Sequence, residues 1–189
     1  LIAITLSVFL AWLGSTVFMM FHSILASELG ATHSRVKIAL ASYSVALIMI
    51  AVAGGRVADI LGRKRMFMIG GVAFSIAALL GLTVANLWSL VAVRAFMGLS
   101  AGLVLTATGG VLVSTMHGST RHDAWLLWRG AGMAGMVLGP VIGPLIASGS
   151  SWRGLFISDA LLMLVAVGIG AHAIKESRDE DSVFTFALM

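Results

Sequence analysis

The chain has 189 residues, of which 59% are hydrophobic and 11% are charged, and its formal net charge is +4. Average soluble domains are about 45–50% apolar and about 25% charged, so this composition excludes an ordinary soluble domain. The absence of cysteine excludes disulfides and thiolate metal sites, and no nucleic-acid partner is expected because the basic residues lie at the ends of apolar segments.

Six apolar segments are each long enough to cross a bilayer as a helix, which needs about 20 mostly apolar residues. A membrane barrel would instead show alternating segments of about ten residues. The sequence therefore predicts an all-α membrane protein with one bundle over 1–174 and a charged tail or linker over 175–189. The six predicted spans are 3–27, 36–54, 66–85, 88–113, 122–147 and 154–174, with boundaries uncertain by a few residues.

Lys and Arg are distributed unequally between the two sides that six spans define. The breaks after the second and fourth spans and the C-terminal tail together hold seven, and the opposite side holds three. Positively charged loops remain in the cytoplasm. We therefore predict an integral protein of the plasma membrane or bacterial inner membrane, with the loop 55–65 and the C-terminal tail in the cytoplasm.

Glycines recur at four-residue intervals in the fourth and fifth spans. In lipid, close helix packing depends on small residues that let two backbones approach, and a proline inside a helix removes a hydrogen bond where the helix can bend. Two interpretations are open for the fifth span: close packing with a kink, or a bendable surface along which two halves of a transporter move. The residues concerned are Gly98 and Gly102, then Gly135, Gly139, Gly143, Pro140 and Pro144.

Three motifs resemble those of the major facilitator superfamily. GRVADILGRKR at 55–65 is similar to its signature G-x-L-A-D-R-x-G-R-K-R between helices 2 and 3. VRAFMGLSAG at 93–102 resembles its helix 4 motif around a buried arginine, and GMVLGPVIGPLIASGSSWRGLF at 135–156 resembles the helix 5 motif of proton-driven antiporters. The resemblance implies the N-terminal six-helix half of a drug:proton antiporter, the fourteen-helix branch being favoured, with a C-terminal six-helix half as its partner.

The resemblance assigns a gate to the loop motif. In the family, the acid of this motif pairs with its basic residues and meets a helix of the other half, which closes the cytoplasmic side. Asp59 and Arg63 take these places here, and Gly55 and Gly62 are expected to give backbone room. Ile60 replaces a usual base, which implies a weaker contact. The alternative is that the basic residues only fix the topology of the chain.

Charged and titratable residues inside the spans are the candidates for proton coupling. An arginine at a helix centre costs about 2.5–3.5 kcal/mol on insertion scales, and the resemblance ties Arg94 to coupling. The helix 1 acid of this branch is replaced by Gly14, which leaves His22 and Asp159 as candidate proton carriers. Packing is the alternative role for Arg94 and His22. For Asp159 the alternatives are attraction of a cationic substrate, a pair with Arg153, or a place in the outer vestibule.

Aromatic and methionine side chains suit bulky apolar ligands, so Tyr43, Met97 and Trp128 are candidates to line a substrate cavity. They are also ordinary membrane-core residues. The predicted function is export of hydrophobic or amphipathic small molecules, driven by a proton gradient and without a cofactor or metal. An enzyme is not expected, because no nucleophile stands beside a base. The alternatives are a non-transporting half that acts as an assembly or partner-binding module, and a transporter of another small-molecule class.

Overall fold

The computed structural model describes residues 1–148 and 151–174, except for the side chains of residues 56, 57 and 59–61. Within these ranges the chain is a helical bundle, with short 3-10 turns at Met19–Phe21 and Gly81–Thr83. The α-helices are α1 (Ile2–Thr16), α2 (His22–Glu28), α3 (His33–Leu61), α4 (Arg63–Leu80), α5 (Leu87–Thr115), α6 (Gly118–Ala147) and α7 (Gly154–Ala173).

In the described part of the chain, six helical segments are long and apolar enough to cross a membrane. The first span joins α1, a 3-10 turn and α2, and each later span corresponds to one of the helices α3 to α7. The prediction of an all-α membrane protein with six spans is confirmed. The six segments are Ile2–Glu28, His33–Gly55, Arg63–Thr83, Leu87–Thr115, Gly118–Ala147 and Gly154–Ala173.

The segment predicted as a loop at 55–65 is mostly helical. Helix α3 continues through the motif to Leu61, and α4 begins at Arg63, so the turn is reduced to Gly62. No proline interrupts the motif, and Gly62 has a φ of 96°, a conformation that glycine adopts far more readily than other residues. The segment thus connects the second and third spans, as predicted, but it does so as the end of α3 and a one-residue turn. The predicted tail 175–189 lies outside the described residues.

The first span contains a break that the apolar pattern did not predict. Helix α1 ends at Thr16, and α2 begins only at His22 after the 3-10 turn. The hydroxyl of Ser15 donates to the carbonyl of Trp12 at 2.6 Å. Such side-chain bonds to the backbone bend helices, and a break is tolerated in a membrane where neighbours bond the freed groups.

Glycines hold the helices of this bundle in close pairs. A side chain at Gly98 in α5 would overlap the backbone carbonyl of Tyr43 in α3, and a Cβ at Gly102 would lie 2.8 Å from the carbonyl oxygen of Leu47. A side chain at Gly135 in α6 would overlap the backbone of α1 in the same way. These contacts follow the small-residue packing that the sequence predicts for helices in lipid.

Candidate functional site

Arg94 lies at the centre of the bundle and is fully buried in α5. Its Nη1 donates to the carbonyl oxygen of Gly14 at 2.8 Å, and its Nη2 to that of Ser15 at 3.5 Å. Carbonyl groups in the last turn of a helix lack intrahelical donors and carry partial negative charge. The break in the first span therefore creates the acceptors that Arg94 binds.

Two aromatic rings complete the surroundings of the Arg94 guanidinium. Its central carbon lies 4.4 Å from the ring centre of Tyr43 and 5.0 Å from that of Phe18. Aromatic faces attract a cation most strongly where both are removed from water. Phe18 also contacts Phe156 of α7, with ring centres 4.7 Å apart, so this aromatic pair connects the arginine site to α7.

Asp159 is a buried acid in α7, one turn after Phe156, and it is 2% exposed. Among the described residues, its Oδ2 has no hydrogen-bond partner, and neither has Nε of Arg94. The two side chains are close enough to interact electrostatically. A buried polar atom without a partner is costly and rare. The site therefore offers one unused acceptor and one unused donor to a proton, a water molecule or a ligand.

The candidate cavity residues differ in their access to open space. Tyr43 and Met97 are fully buried, and the Tyr43 hydroxyl donates to the carbonyl of Ala11 at 2.6 Å. Trp128 is half-buried, and its indole N–H donates to the Thr108 hydroxyl at 3.2 Å. Trp128 also lines a cavity of about 350 Å³. In this conformation Tyr43 and Met97 thus support the core around Arg94, and Trp128 reaches open space.

His22 lies half-buried at the start of α2, where its Nδ1 is 3.1 Å from the carbonyl oxygen of Met19. It lines a groove of about 540 Å³ between the first span and α3. The ring of His33 stands at 5.7 Å from the His22 ring, edge to face. His22 thus belongs to an open groove, which also includes Ser15 next to Arg94.

The residues of the loop motif lie at the end of the bundle where α3 turns into α4. The side chain of Asp59 lies outside the described residues, so its pairing with Arg63 stays a prediction. The Arg63 side chain lies against α5, with its Nε 2.8 Å from the point where a Cβ of Gly110 would stand. Among the described residues, nothing lies within 4 Å of where a Cβ of Gly55 would stand.

The glycines of the fifth span face α1 of the same bundle. A side chain at Gly139 would overlap Thr16, and a Cβ at Gly143 would lie 2.5 Å from the carbonyl oxygen of Val17. Pro140 has no N–H for the carbonyl of Met136, and this carbonyl accepts the Thr16 hydroxyl at 3.0 Å. This face of α6 is therefore covered by α1.

A polar cluster at the opposite end of the bundle from Arg63 escaped the sequence interpretation. Glu28 Oε2 accepts from Trp152 Nε1 at 2.9 Å and from Arg153 Nη1 at 3.2 Å. Arg153 also donates to the carbonyl of Val84 at 3.1 Å and lies 4.3 Å from the Trp152 ring centre. The cluster ties α2 and the end of the α4 segment to the start of α7. Arg153 thus pairs with Glu28, and the alternative pair with Asp159 is wrong.

Comparisons with known proteins agree on the type of protein. The family model described as Major Facilitator Superfamily matches residues 4–187. The chain is 29% identical over 138 residues to the Multidrug efflux pump LfrA of Mycolicibacterium smegmatis, covering 72% of this chain and 27% of that protein. It is 25% identical over 187 residues to the Tetracenomycin C resistance and export protein of Streptomyces glaucescens, covering 98% of this chain and 35% of that protein.

Solved structures share the fold at lower sequence identity. The proton:xylose symporter XylE aligns with a TM-score of 0.81 and 17% identity, covering 93% of this chain and 44% of that chain. A D-xylose-proton symporter aligns with a TM-score of 0.78 and 17% identity, covering 99% of this chain and 50% of that chain. The described bundle therefore corresponds to about half of these folds.

Proposed function

Since the chain belongs to the Major Facilitator Superfamily, we propose that it forms the N-terminal half of a secondary transporter that exports hydrophobic or amphipathic small molecules in exchange for protons. The chain spans about a third or less of the lengths of its efflux relatives. A C-terminal six-helix half completes the transporter, because sites of such proteins lie between two structural repeats.

The observation that carries the proposal is the pair of buried opposite charges with unused polar atoms. Asp159 and Arg94 lie inside the bundle, and each keeps one polar atom without a partner among the described residues. Intramembrane acids of this kind serve proton relays in transporters. Asp159 takes up and releases the proton, and the positive charge of Arg94 favours its release.

The orientation follows from the distribution of positive charge. The end that carries Gly62 and Arg63 lies in the cytoplasm, together with the C-terminal tail. The end that carries the Glu28 and Arg153 pair lies outside the membrane on the opposite face. In this orientation the Asp59 and Arg63 motif stands at the cytoplasmic gate, where contacts must form and break in every cycle. Exposed ion pairs suit such a gate because each contributes only about 0–1 kcal/mol.

A reconstituted system tests the proposal. The full-length protein that contains this chain would be placed in liposomes with an imposed pH gradient, and the movement of ethidium and of the neutral dye Nile red would be followed by fluorescence. We expect movement of at least one dye that stops when a protonophore removes the gradient. Movement that is indifferent to the protonophore would contradict proton coupling, and no movement of either dye would favour the assembly module.

A further inference from the structure

The groove beside His22 has the dimensions and lining of a ligand site. Its volume of about 540 Å³ falls within the range of about 300–1,000 Å³ that small-molecule pockets occupy. One wall comes from the first span at its break, and the other from α3. The lining residues are Ser15, Met19, His22, Lys37, Leu40, Ala41 and Ser44.

The titratable groups at this groove are all basic in the part of the chain that the structure describes. Lys37 and His22 line it from opposite walls, and His33 stands edge to face against His22. Glu28, the acid of α2, is already bound by Trp152 and Arg153. The groove therefore presents positive charge that no carboxylate of its lining neutralises.

The remainder of the lining is apolar and carries two hydroxyl groups. Met19, Leu40 and Ala41 form the apolar part, and Ser15 and Ser44 supply the hydroxyls. Ser15 also accepts from Arg94 through its backbone carbonyl, so the inner end of the groove adjoins the buried arginine. An apolar surface beside the uncompensated cation of Lys37 matches a ligand that has an apolar body and one negative group.

We propose that this groove binds amphipathic organic anions, with the acidic group against Lys37 and His22 and the apolar body over Met19, Leu40 and Ala41. The inference rests on the proposed function, since it names the substrate class that the exporter takes.

Three probes that share the pyrene body and differ in their polar group test the charge preference. Pyrenebutyrate is an anion at neutral pH, pyrenebutanol is neutral and pyrenemethylamine is a cation. Each would be titrated into the full-length protein in zwitterionic lipid nanodiscs, with the signal from empty nanodiscs subtracted. We expect pyrenebutyrate to bind about fivefold or more tightly than pyrenebutanol, and pyrenemethylamine to bind most weakly. Equal affinities, or tighter binding of the cation, would overturn the inference.

Matched variants locate the binding to this groove. Lys37→Gln should weaken pyrenebutyrate about fivefold and leave pyrenebutanol unchanged, whereas Lys37→Arg should retain the anion affinity. Arg35→Gln is the control, because Arg35 is an exposed base of the same helix that does not line the groove. An equal loss of anion affinity in Lys37→Gln and Arg35→Gln would show a general surface effect and contradict the site.

His22 has a control of its own in α7. His172 is an exposed helical histidine whose Nδ1 lies 3.0 Å from the carbonyl of Gly168, as that of His22 lies near Met19. His22→Gln should weaken pyrenebutyrate, and His172→Gln should not. Retained binding of pyrenebutanol reports an intact groove in each variant, so a folding defect is recognised as the loss of both probes.

Transport assays separate this inference from the proposed function. If the protein in liposomes transports pyrenemethylamine but not pyrenebutyrate, the proposed export function is supported and the anion site is contradicted. If pyrenebutyrate binds in the groove and no probe is transported, the anion site is supported and the proposed export function is contradicted.

Discussion

The hydroxyl of Thr16 donates to the carbonyl oxygen of Met136 at 3.0 Å, and this oxygen is the acceptor that Pro140 leaves without a helical donor. The end of α1 therefore satisfies the backbone of α6 at the point where α6 loses a hydrogen bond. Polar side chains of neighbouring helices commonly fill this role in membranes. The break in the first span thus lies beside the proline site of α6.

Thr16→Val should destabilise the bundle, because valine keeps the shape of threonine and removes the donor to Met136. Hydrogen bonds between membrane helices contribute about 0.6 kcal/mol on average and at most about 1.7 kcal/mol, so we expect a loss within this range. Unfolding in mixed micelles at increasing dodecyl sulfate, followed by circular dichroism, measures it. Thr5→Val is the control, because Thr5 donates only to carbonyls of its own turn. Equal losses in both variants would contradict the interhelical role.

Gly139→Ala should separate α6 from α1. The added methyl group would overlap the Thr16 hydroxyl and lie 3.0 Å from the backbone nitrogen of Val17, and such overpacking costs about 1–3 kcal/mol. Gly130→Ala is the matched change in the same helix, with nothing within 4 Å of the new methyl group. Thermal unfolding of both variants in the same detergent compares them. A Gly139→Ala protein as stable as Gly130→Ala would mean that the two helices are free to move apart.

The sequence predicted the elements of the fold better than their contacts. The six spans follow from the length of the apolar runs, and the burial of Arg94 follows from its position inside one of them. The break after Thr16 lies inside one predicted span, and a carbonyl that it leaves free is bound by Arg94, which is 80 residues from Gly14. The pair of Glu28 and Arg153 spans 125 positions. Contacts of this kind depend on how the helices pack against each other. Local sequence patterns therefore do not predict them.

Arg94→Gln should reduce both stability and coupling. The shorter amide cannot reach the Gly14 and Ser15 carbonyls as a charged fork, and unpaired buried groups cost about 1–3 kcal/mol each. Arg94→Lys keeps the charge but not the paired geometry, so we expect an intermediate result. The measurement is pH-driven dye movement in liposomes together with unfolding in micelles. Arg129→Gln is the control, since Arg129 is exposed on α6 and contacts Trp125. If the Arg94→Gln protein showed undiminished pH-driven dye movement, the role of Arg94 would be in packing and not in proton coupling.

Asp59→Asn should slow transport and leave membrane insertion intact, because the neutral side chain cannot form the ion pair proposed for the gate. We expect a decrease of about fivefold in the initial rate, as loss of a contact of about 1 kcal/mol implies. Asp123→Asn provides a matched control at the same end of the bundle, on the exposed surface of α6. Rates measured in liposomes, with equal protein amounts established by blotting, distinguish the two. Unchanged uptake kinetics in Asp59→Asn would refute the gate.

Asp159→Asn should uncouple transport from the proton gradient while the bundle remains folded. The amide has nearly the volume of the carboxyl group but cannot take up and release a proton, so pH-driven movement should cease. Exchange of substrate between the two sides at equal pH needs no proton transfer and should continue. This contrast separates a proton carrier from a residue that only packs, because a packing defect would slow both processes together. Asp159→Glu, which restores the titratable group, should recover part of the pH-driven movement. Complete pH-driven movement in Asp159→Asn would place the proton carrier elsewhere.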